Sequence, residues 1–216
     1  MTILALEFSS PQRSVAVARG EEVFAEAVET GGRGTNAFGM IEKVLAEAKI
    51  EREQIEVIVV GLGPGSYTGI RAAISLAQGW HLARGTKLFG VSSVEAIAAQ
   101  AQAGKIFGRV NVVIDAQRGE FYLAAYEILE CGCKEIESLK ILSLTEIQRR
   151  ADANEILIGP EVVKWFPNGR MIFPSAAMLA KLVGGRNDFG ADEKMEPIYL
   201  RETNFVKAPP GQTFAS

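Results

Sequence analysis

Gly61-Leu62-Gly63-Pro64-Gly65-Ser66-Tyr67-Thr68-Gly69-Ile70-Arg71 joins an apolar run, Val57-Ile58-Val59-Val60, to a helical pattern over 68–83. A strand that breaks into glycines and then opens a helix is the layout of many phosphate sites. Backbone N–H groups converge there, and the helix dipole favours an anion. This loop lacks the lysine that follows the second glycine of a P-loop, and it lacks G-x-G-x-x-G spacing. Two readings therefore stand: the loop holds a ligand, or it only turns the chain.

The residues on either side describe an α/β protein built twice. Residues 2–8 and 12–19 read as apolar strands joined by the turn cluster Ser9-Ser10-Pro11-Gln12, with a third strand over 22–29. After the flexible Gly31-Gly32-Arg33-Gly34, Phe38, Ile41, Leu45 and Ala48 recur at helical spacing within 35–49. Strand 56–61, the glycine loop, helix 68–83, a short strand over 87–91 and a helix capped by Ser92 or Ser93 complete this half. The second half follows the same order more loosely. It has a hairpin, 110–115 and 120–128, around Ala116-Gln117-Arg118-Gly119, and a strand over 137–142. A helix from Ser143 or Thr145, strand 155–159, a short helix, strand 170–173 and a helix ending at Gly184-Gly185 follow. The expected division is 1–104, 105–202 and a loosely attached polar tail, 203–216.

Composition narrows the function classes. With 216 residues, a formal charge of −3 and no apolar run near the ~20 residues of a membrane span, the chain reads as a soluble cytoplasmic protein. The N-terminus reads as a strand without the basic start and cleavage site of a signal peptide. A mildly acidic balance argues against a wide nucleic-acid face, so RNA is expected only through a partner. Cys131 and Cys133 are the only cysteines; as Cys-x-Cys they fit a reduced turn better than a two-ligand metal clip.

Several residues could carry chemistry. In helix 68–83, Ile70, Ile74 and Ala77 form one apolar row, and Ala73, Leu76 and Trp80 a second. Ala72, Ser75, Gly79 and Ala83 form a third, of small side chains. Such a helix is central to a three-layer fold, or it packs on the sheet with one face and on another chain with the other. His81 is the sole histidine, so no histidine-paired metal site exists, and a packing role suits it. Ser66 fails the G-x-S-x-G elbow because Tyr67 and Thr68 precede Gly69; Ser66 or Thr68 reads as a helix cap. Arg71 in the first helical turn opposes the dipole and calls for an acid or an anion nearby. Glu7 and Asp115 end matching strands of the two halves. Such paired carboxylates hold hydrated Mg²⁺ across a cleft, whereas turn capping is the plainer role, with Ser9 and Ser10 available to cap beside Glu7.

Taken in order, Ile3-Leu4-Ala5-Leu6-Glu7-Phe8-Ser9-Ser10, the glycine loop from Gly63 to Arg71, Asp115-Ala116-Gln117-Arg118-Gly119-Glu120-Phe121-Tyr122 and Pro197-Ile198-Tyr199-Leu200-Arg201 form a pattern that spans almost the whole chain. It resembles the bacterial TsaB (YeaZ-like) family. That resemblance implies the actin-like, sugar-kinase and Hsp70 (ASKHA) fold, with two duplicated βββαβα-type halves. It also implies a part in forming threonylcarbamoyladenosine beside the tRNA anticodon. In that family's pathway a larger paralogue, TsaD, transfers the group with a metal held by two histidines on the helix matching 35–49. This chain has Phe38, Met40 and Ile41 in that region. The resemblance therefore implies no catalytic residue and no metal here, but a scaffold that pairs with TsaD or with itself and is joined by the ATPase TsaE. It places the pairing surface on helices 35–49 and 68–83, here Phe38, Ile41, Leu45, Ile70, Ala72, Ser75, Gly79 and Ala83. No cofactor of its own is implied, with ATP or ADP at a partner interface. Any anion or nucleotide contact falls to Gly63, Gly65, Ser66, Thr68, Arg71 and Arg118. The chain departs from the family's Asp-Thr-Ser with Glu7-Phe8-Ser9. The rival expectation is an autonomous ATP/Mg-dependent phosphotransferase or M22-type hydrolase using Glu7, Asp115 and Arg118 in the cleft. A dinucleotide-binding Rossmann domain fits less well, because hairpins stand where parallel units should begin.

Overall fold

Strand β1 (Thr2–Glu7) is apolar on both faces, and the architecture follows from that. Leu4 and Leu6, with Phe8 just beyond the strand, point to one side and pack in a cluster with Val15, Val17, Ile58 and Val60. Ile3 and Ala5 point to the other side, with Ala16, Ala18, Val57 and Val59. A strand buried on both faces needs helices on both faces of its sheet.

In a computed structural model of the chain, which describes residues 1–31, 36–185 and 195–200, this is how sheet and helices sit. The first sheet runs β3 (Glu22–Thr30), β2 (Gln12–Arg19), β1, β4 (Val57–Gly61), β5 (Lys87–Val91). The second runs β8 (Gly132–Ser143), β7 (Glu120–Leu129), β6 (Gly108–Asp115), β9 (Ile156–Gly159), β10 (Arg170–Met171). In each, an antiparallel three-strand meander is followed by strands added in parallel to its first member. The two sheets are one topology used twice, which is the duplicated ASKHA architecture.

Helices α1 (Ala37–Ala48) and α2 (Tyr67–Arg84) cover the outer face of the first sheet. Helix α3 (Ser93–Ala103) places Ala96 against the first sheet's inner cluster, while Val94, Ile97, Ala98 and Ala101 pack on the second sheet. Helix α5 (Ala176–Gly184) returns to the first sheet through Ala176, Leu179, Ala180 and Val183. These two helices therefore form a layer between the sheets, each packing across the division of the sequence. Helix α4 (Leu144–Asp152) and a 3-10 turn, Val162–Lys164, cover the outer face of the second sheet through Ile147 and Val162.

The elements differ from the expected ones where local signals were weak. β8 begins at Gly132, well before 137, because its first residues are an exposed edge with charges rather than an alternating apolar pattern. The last strand is only Arg170–Met171, and the helix expected after Gly159-Pro160 is the 3-10 turn. Capping marks the ends sharply: Asn36 starts α1, Ser66 α2, Ser92 α3, and Gly85 ends α2 at φ 70°. Gly185 caps α5, while the turn 186–188, part of the loop 32–34, Arg201 and the tail 203–216 lie outside the described residues. Among the described residues no helix is long and apolar enough to cross a membrane.

Gly69 lies in the first turn of α2, and a Cβ there would fall on the Phe8 carbonyl oxygen, far inside van der Waals contact. Gly69→Ala is therefore expected to lower stability by roughly 1–3 kcal/mol in urea denaturation. Gly79→Ala on the same helix, where a Cβ would meet nothing within 4 Å, should instead raise it by about 1 kcal/mol.

Candidate functional site

The glycine loop meets the turn that follows β1, and backbone contacts hold the two together. Ser66 N–H donates to the Ser9 carbonyl at 2.6 Å, and a Cβ on Gly65 would overlap that same carbonyl. Gly63, at φ 86°, precedes a cis bond to Pro64. Its N–H donates to Ser93 Oγ at 3.2 Å, and its carbonyl accepts from Ser93 N–H at 2.9 Å. Leu62 N–H is taken by the Val91 carbonyl, and Gly69 N–H by the capping Ser66 Oγ. A phosphate cradle needs converging amides left open. Here the Leu62, Gly63, Ser66 and Gly69 amides are already bonded within the chain, and Pro64 has none to offer.

A cavity of about 440 Å³ opens between the two halves. Ser9, Ser10, Arg13, Gly65, Ser66 and Tyr67 line it from the first half; Asp115, Gln117, Tyr122 and Glu161 line it from the second. The six residues expected to contact an anion do not converge on it. Gly65 and Ser66 are in its wall, but Gly63 is buried against Ser93, while Thr68, Arg71 and Arg118 are exposed outside it. The Arg71 guanidinium lies 5.1 Å from the centre of the Tyr67 ring and donates to the Tyr67 hydroxyl. Tyr67 stacks on Tyr199 at 5.2 Å. Residues 195–200 therefore cross the loop, and Ile198 N–H fixes them by donating to the Leu62 carbonyl.

The expected pair of cleft carboxylates is not assembled. Glu7 is fully buried. Its Oε1 accepts from Ser9 N–H at 2.7 Å and its Oε2 from Ser93 Oγ at 2.8 Å. Burial pushes its carboxyl above the usual glutamate value, against the pull of the Ser9 and Ser93 donors. Asp115 stays at the cleft and makes the matching bond, accepting from Gln117 N–H at 2.7 Å. Both acids therefore accept from the turn after their strand, and in the first half Ser10 Oγ also ties that turn by donating to the Gln12 carbonyl at 2.6 Å. The arrangement does not fit Mg²⁺ and phosphate held between Glu7 and Asp115.

A second concavity, also about 440 Å³, lies between α1 and α2. Phe38, Ile41, Trp80 and Ala83 line it, and the ion pairs Arg52–Glu42 at 2.9 Å and Arg84–Glu53 at 3.0 Å flank it. Phe38 is 70% exposed, and Ala72, Ser75, Gly79 and Ala83 are all on the surface. Two other residues expected on this surface are turned away from it, and a third lies beneath it. Leu45 and Ile70 lie on helix faces turned to the sheet and fill the core, and Ile41 forms the groove floor at 2% exposure. Leu82, 85% exposed, also belongs to the outward face, seven residues after Ser75 and so two helical turns on; its aliphatic side chain sets it apart from the row of small residues. His81 Nδ1–H donates to the Thr86 carbonyl at 2.9 Å, which gives the ring a packing role. Cys131 and Cys133 are both free thiols on the β7–β8 hairpin.

Comparison with known proteins agrees with this geometry. Residues 35–179 match the family described as TsaD, tRNA N6-adenosine threonylcarbamoyltransferase. The chain is 27% identical to the tRNA threonylcarbamoyladenosine biosynthesis protein TsaB of Escherichia coli, over 98% of this chain and 100% of that one. It is 32% identical to the Bacillus subtilis TsaB over 59% of this chain, an alignment that spans 56% of the B. subtilis protein. A solved Pseudomonas aeruginosa structure, described as an uncharacterized protein with similarity to peptidase YEAZ, superimposes with a TM-score of 0.78 at 25% identity. It covers 93% of this chain and 99% of that one.

If Ser66 is the hydroxyl that starts α2, Ser66→Ala should lower stability by about 1 kcal/mol in chemical denaturation. Thr68→Ala should leave the midpoint unchanged, since Thr68 is exposed inside the helix.

Proposed function

The chain belongs to the TsaD (tRNA N6-adenosine threonylcarbamoyltransferase) family as a TsaB/YeaZ-type member, and on that premise we propose that it is a non-catalytic scaffold subunit of the tRNA-modifying assembly. In this reading it pairs through α1 and α2 with a larger TsaD-like paralogue that carries the chemistry, and a TsaE-like ATPase joins them. Alone it forms a homodimer on the same face, and it meets tRNA only through the complex in the cytoplasm. It holds no metal or nucleotide of its own; ATP or ADP lodges at the partner interface.

The observation that carries this reading is the outward face of α2. Ala72, Ser75, Gly79 and Ala83 stand exposed along it, and nothing lies within 4 Å of a Cβ placed on Gly79. A ridge of small side chains lets a second helix approach closely. Leu82 and Phe38, exposed at 85% and 70%, supply apolar surface that a partner would bury. The buried position of Glu7 and the bonded loop amides give the competing phosphotransferase reading no assembled site.

Reconstituted tRNA modification should fall to background when this subunit is left out; full activity of the paralogue alone overturns the proposal. Gly79→Arg should weaken association with the paralogue by roughly 100-fold in calorimetry, the scale of an interface hot spot. Its melting temperature should not fall below the parent's, because the site is open in the monomer and Arg forms helix better than Gly.

A further inference from the structure

Two serines stand together at the start of α3, and only Ser92 is needed as its cap, accepting from Val94 N–H. Ser93 is fully buried and is bonded elsewhere. Its N–H donates to the Gly63 carbonyl at 2.9 Å, its Oγ accepts from Gly63 N–H at 3.2 Å, and the same Oγ donates to Glu7 Oε2 at 2.8 Å. One residue thus ties the end of β1, the glycine loop and the helix on which the second sheet rests. Gly61 makes room for the arrangement, since a Cβ there would collide with Glu7 Oε2. Two residues beyond Glu7, Ser9 is already in the cleft wall.

We propose that Glu7 and Ser93 form a latch between the end of β1, beside the cleft wall, and the start of α3. While their bond holds, the end of β1, the glycine loop and the start of α3 move as one body. When it breaks, the start of α3 is released from the end of β1 and is held to the loop by the Ser93–Gly63 bonds alone. The groups facing the Glu7 carboxyl are Ser9 from the turn, Ser93 from α3 and Gly61 from β4; no charged side chain among the described residues sets its proton affinity. Burial without a cation favours the protonated acid, and opening the latch to water restores an ordinary glutamate. Opening therefore releases a proton, and rising pH favours it. The latch is fully held below the ordinary value of 4.5 and weakens as pH climbs from there through the raised value of the closed state.

The test is amide exchange of the whole chain, read as protection factors so that the intrinsic pH dependence of exchange is removed. In the parent, protection at Ser9, Gly63 and the first turn of α3 should fall by up to about tenfold per pH unit above 4.5, while α4 stays level. Glu7→Gln, which keeps the shape without the titration, should give a flat profile at the same amides. Ser93→Ala should lower protection at Gly63 by at least about tenfold at every pH. Matching slopes in the parent and Glu7→Gln, or unchanged protection in Ser93→Ala, overturn the latch. If Glu7→Gln does not fold, titration of the ¹³C-labelled Glu7 carboxyl in the parent decides. A midpoint above the ordinary glutamate value supports the latch, and an ordinary value overturns it.

Discussion

Gly61, Gly65 and Gly69 recur at four-residue intervals, and each lies where a side chain would strike the end of β1 or the turn after it. A Cβ would meet the Glu7 carboxylate at Gly61, the Ser9 carbonyl at Gly65 and the Phe8 carbonyl at Gly69. The glycine loop is therefore pressed against three successive residues of the first hairpin. This approach fixes where α2 begins, and so which of its faces meets the sheet. Ile70, Ala73, Ile74 and Ala77 then fall on the core side, and the small residues fall outside. The burial of Ile70 alone is worth about 2 kcal/mol, so the starting point of the helix is well determined.

The same contact governs the chemistry of the cleft. Four amides of the loop, those of Leu62, Gly63, Ser66 and Gly69, are spent on Val91, Ser93, Ser9 and the Ser66 cap. The carboxylate that ends β1 is drawn inward, into the space left by Gly61 and onto Ser93. Its counterpart Asp115 keeps the same turn-capping bond but remains in the cleft wall. Two acids in equivalent positions thus differ in solvation. The wall keeps Arg13, Asp115 and Glu161, the last paired with Lys164, while Glu7 is withdrawn from it.

The layered fold was legible in the sequence because its signals are local and repeated. Apolar strands, serine caps and the glycine loop all fall where the elements begin and end, and the duplicated order is visible from turn spacing alone. The outward face of α2 was legible only in part. Helical periodicity found the ridge Ala72, Ser75, Gly79 and Ala83. It could not say that Ile70 faces the sheet, because α2 is apolar nearly all round and periodicity does not name the buried side; Leu45 belongs to the apolar stripe of α1, which packs on the sheet. The role of Ser93 was hidden for another reason. Its bond to Glu7 spans 86 residues, and a serine doublet before a helix has a sufficient local explanation in capping.

The two halves share a topology but not a surface, and the difference bears on how such a chain works. Between β4 and β5 the first half carries the 18-residue α2; between β9 and β10 the second has only the 3-10 turn Val162–Lys164. The close approach that launches α2 persists without its helix, since a Cβ on Gly159, at the end of β9, would overlap the Val113 carbonyl. The second half therefore keeps the strand crossing and lacks the helix. Its outer face is instead closed by Ile147, Val162 and Phe166 against the sheet. A chain with one such helix presents one small-residue ridge, and it belongs to the first half. Beyond the second sheet, Tyr199 reaches the start of that helix by stacking on Tyr67, so the glycine loop supports this contact as well as the bonds at the end of β1.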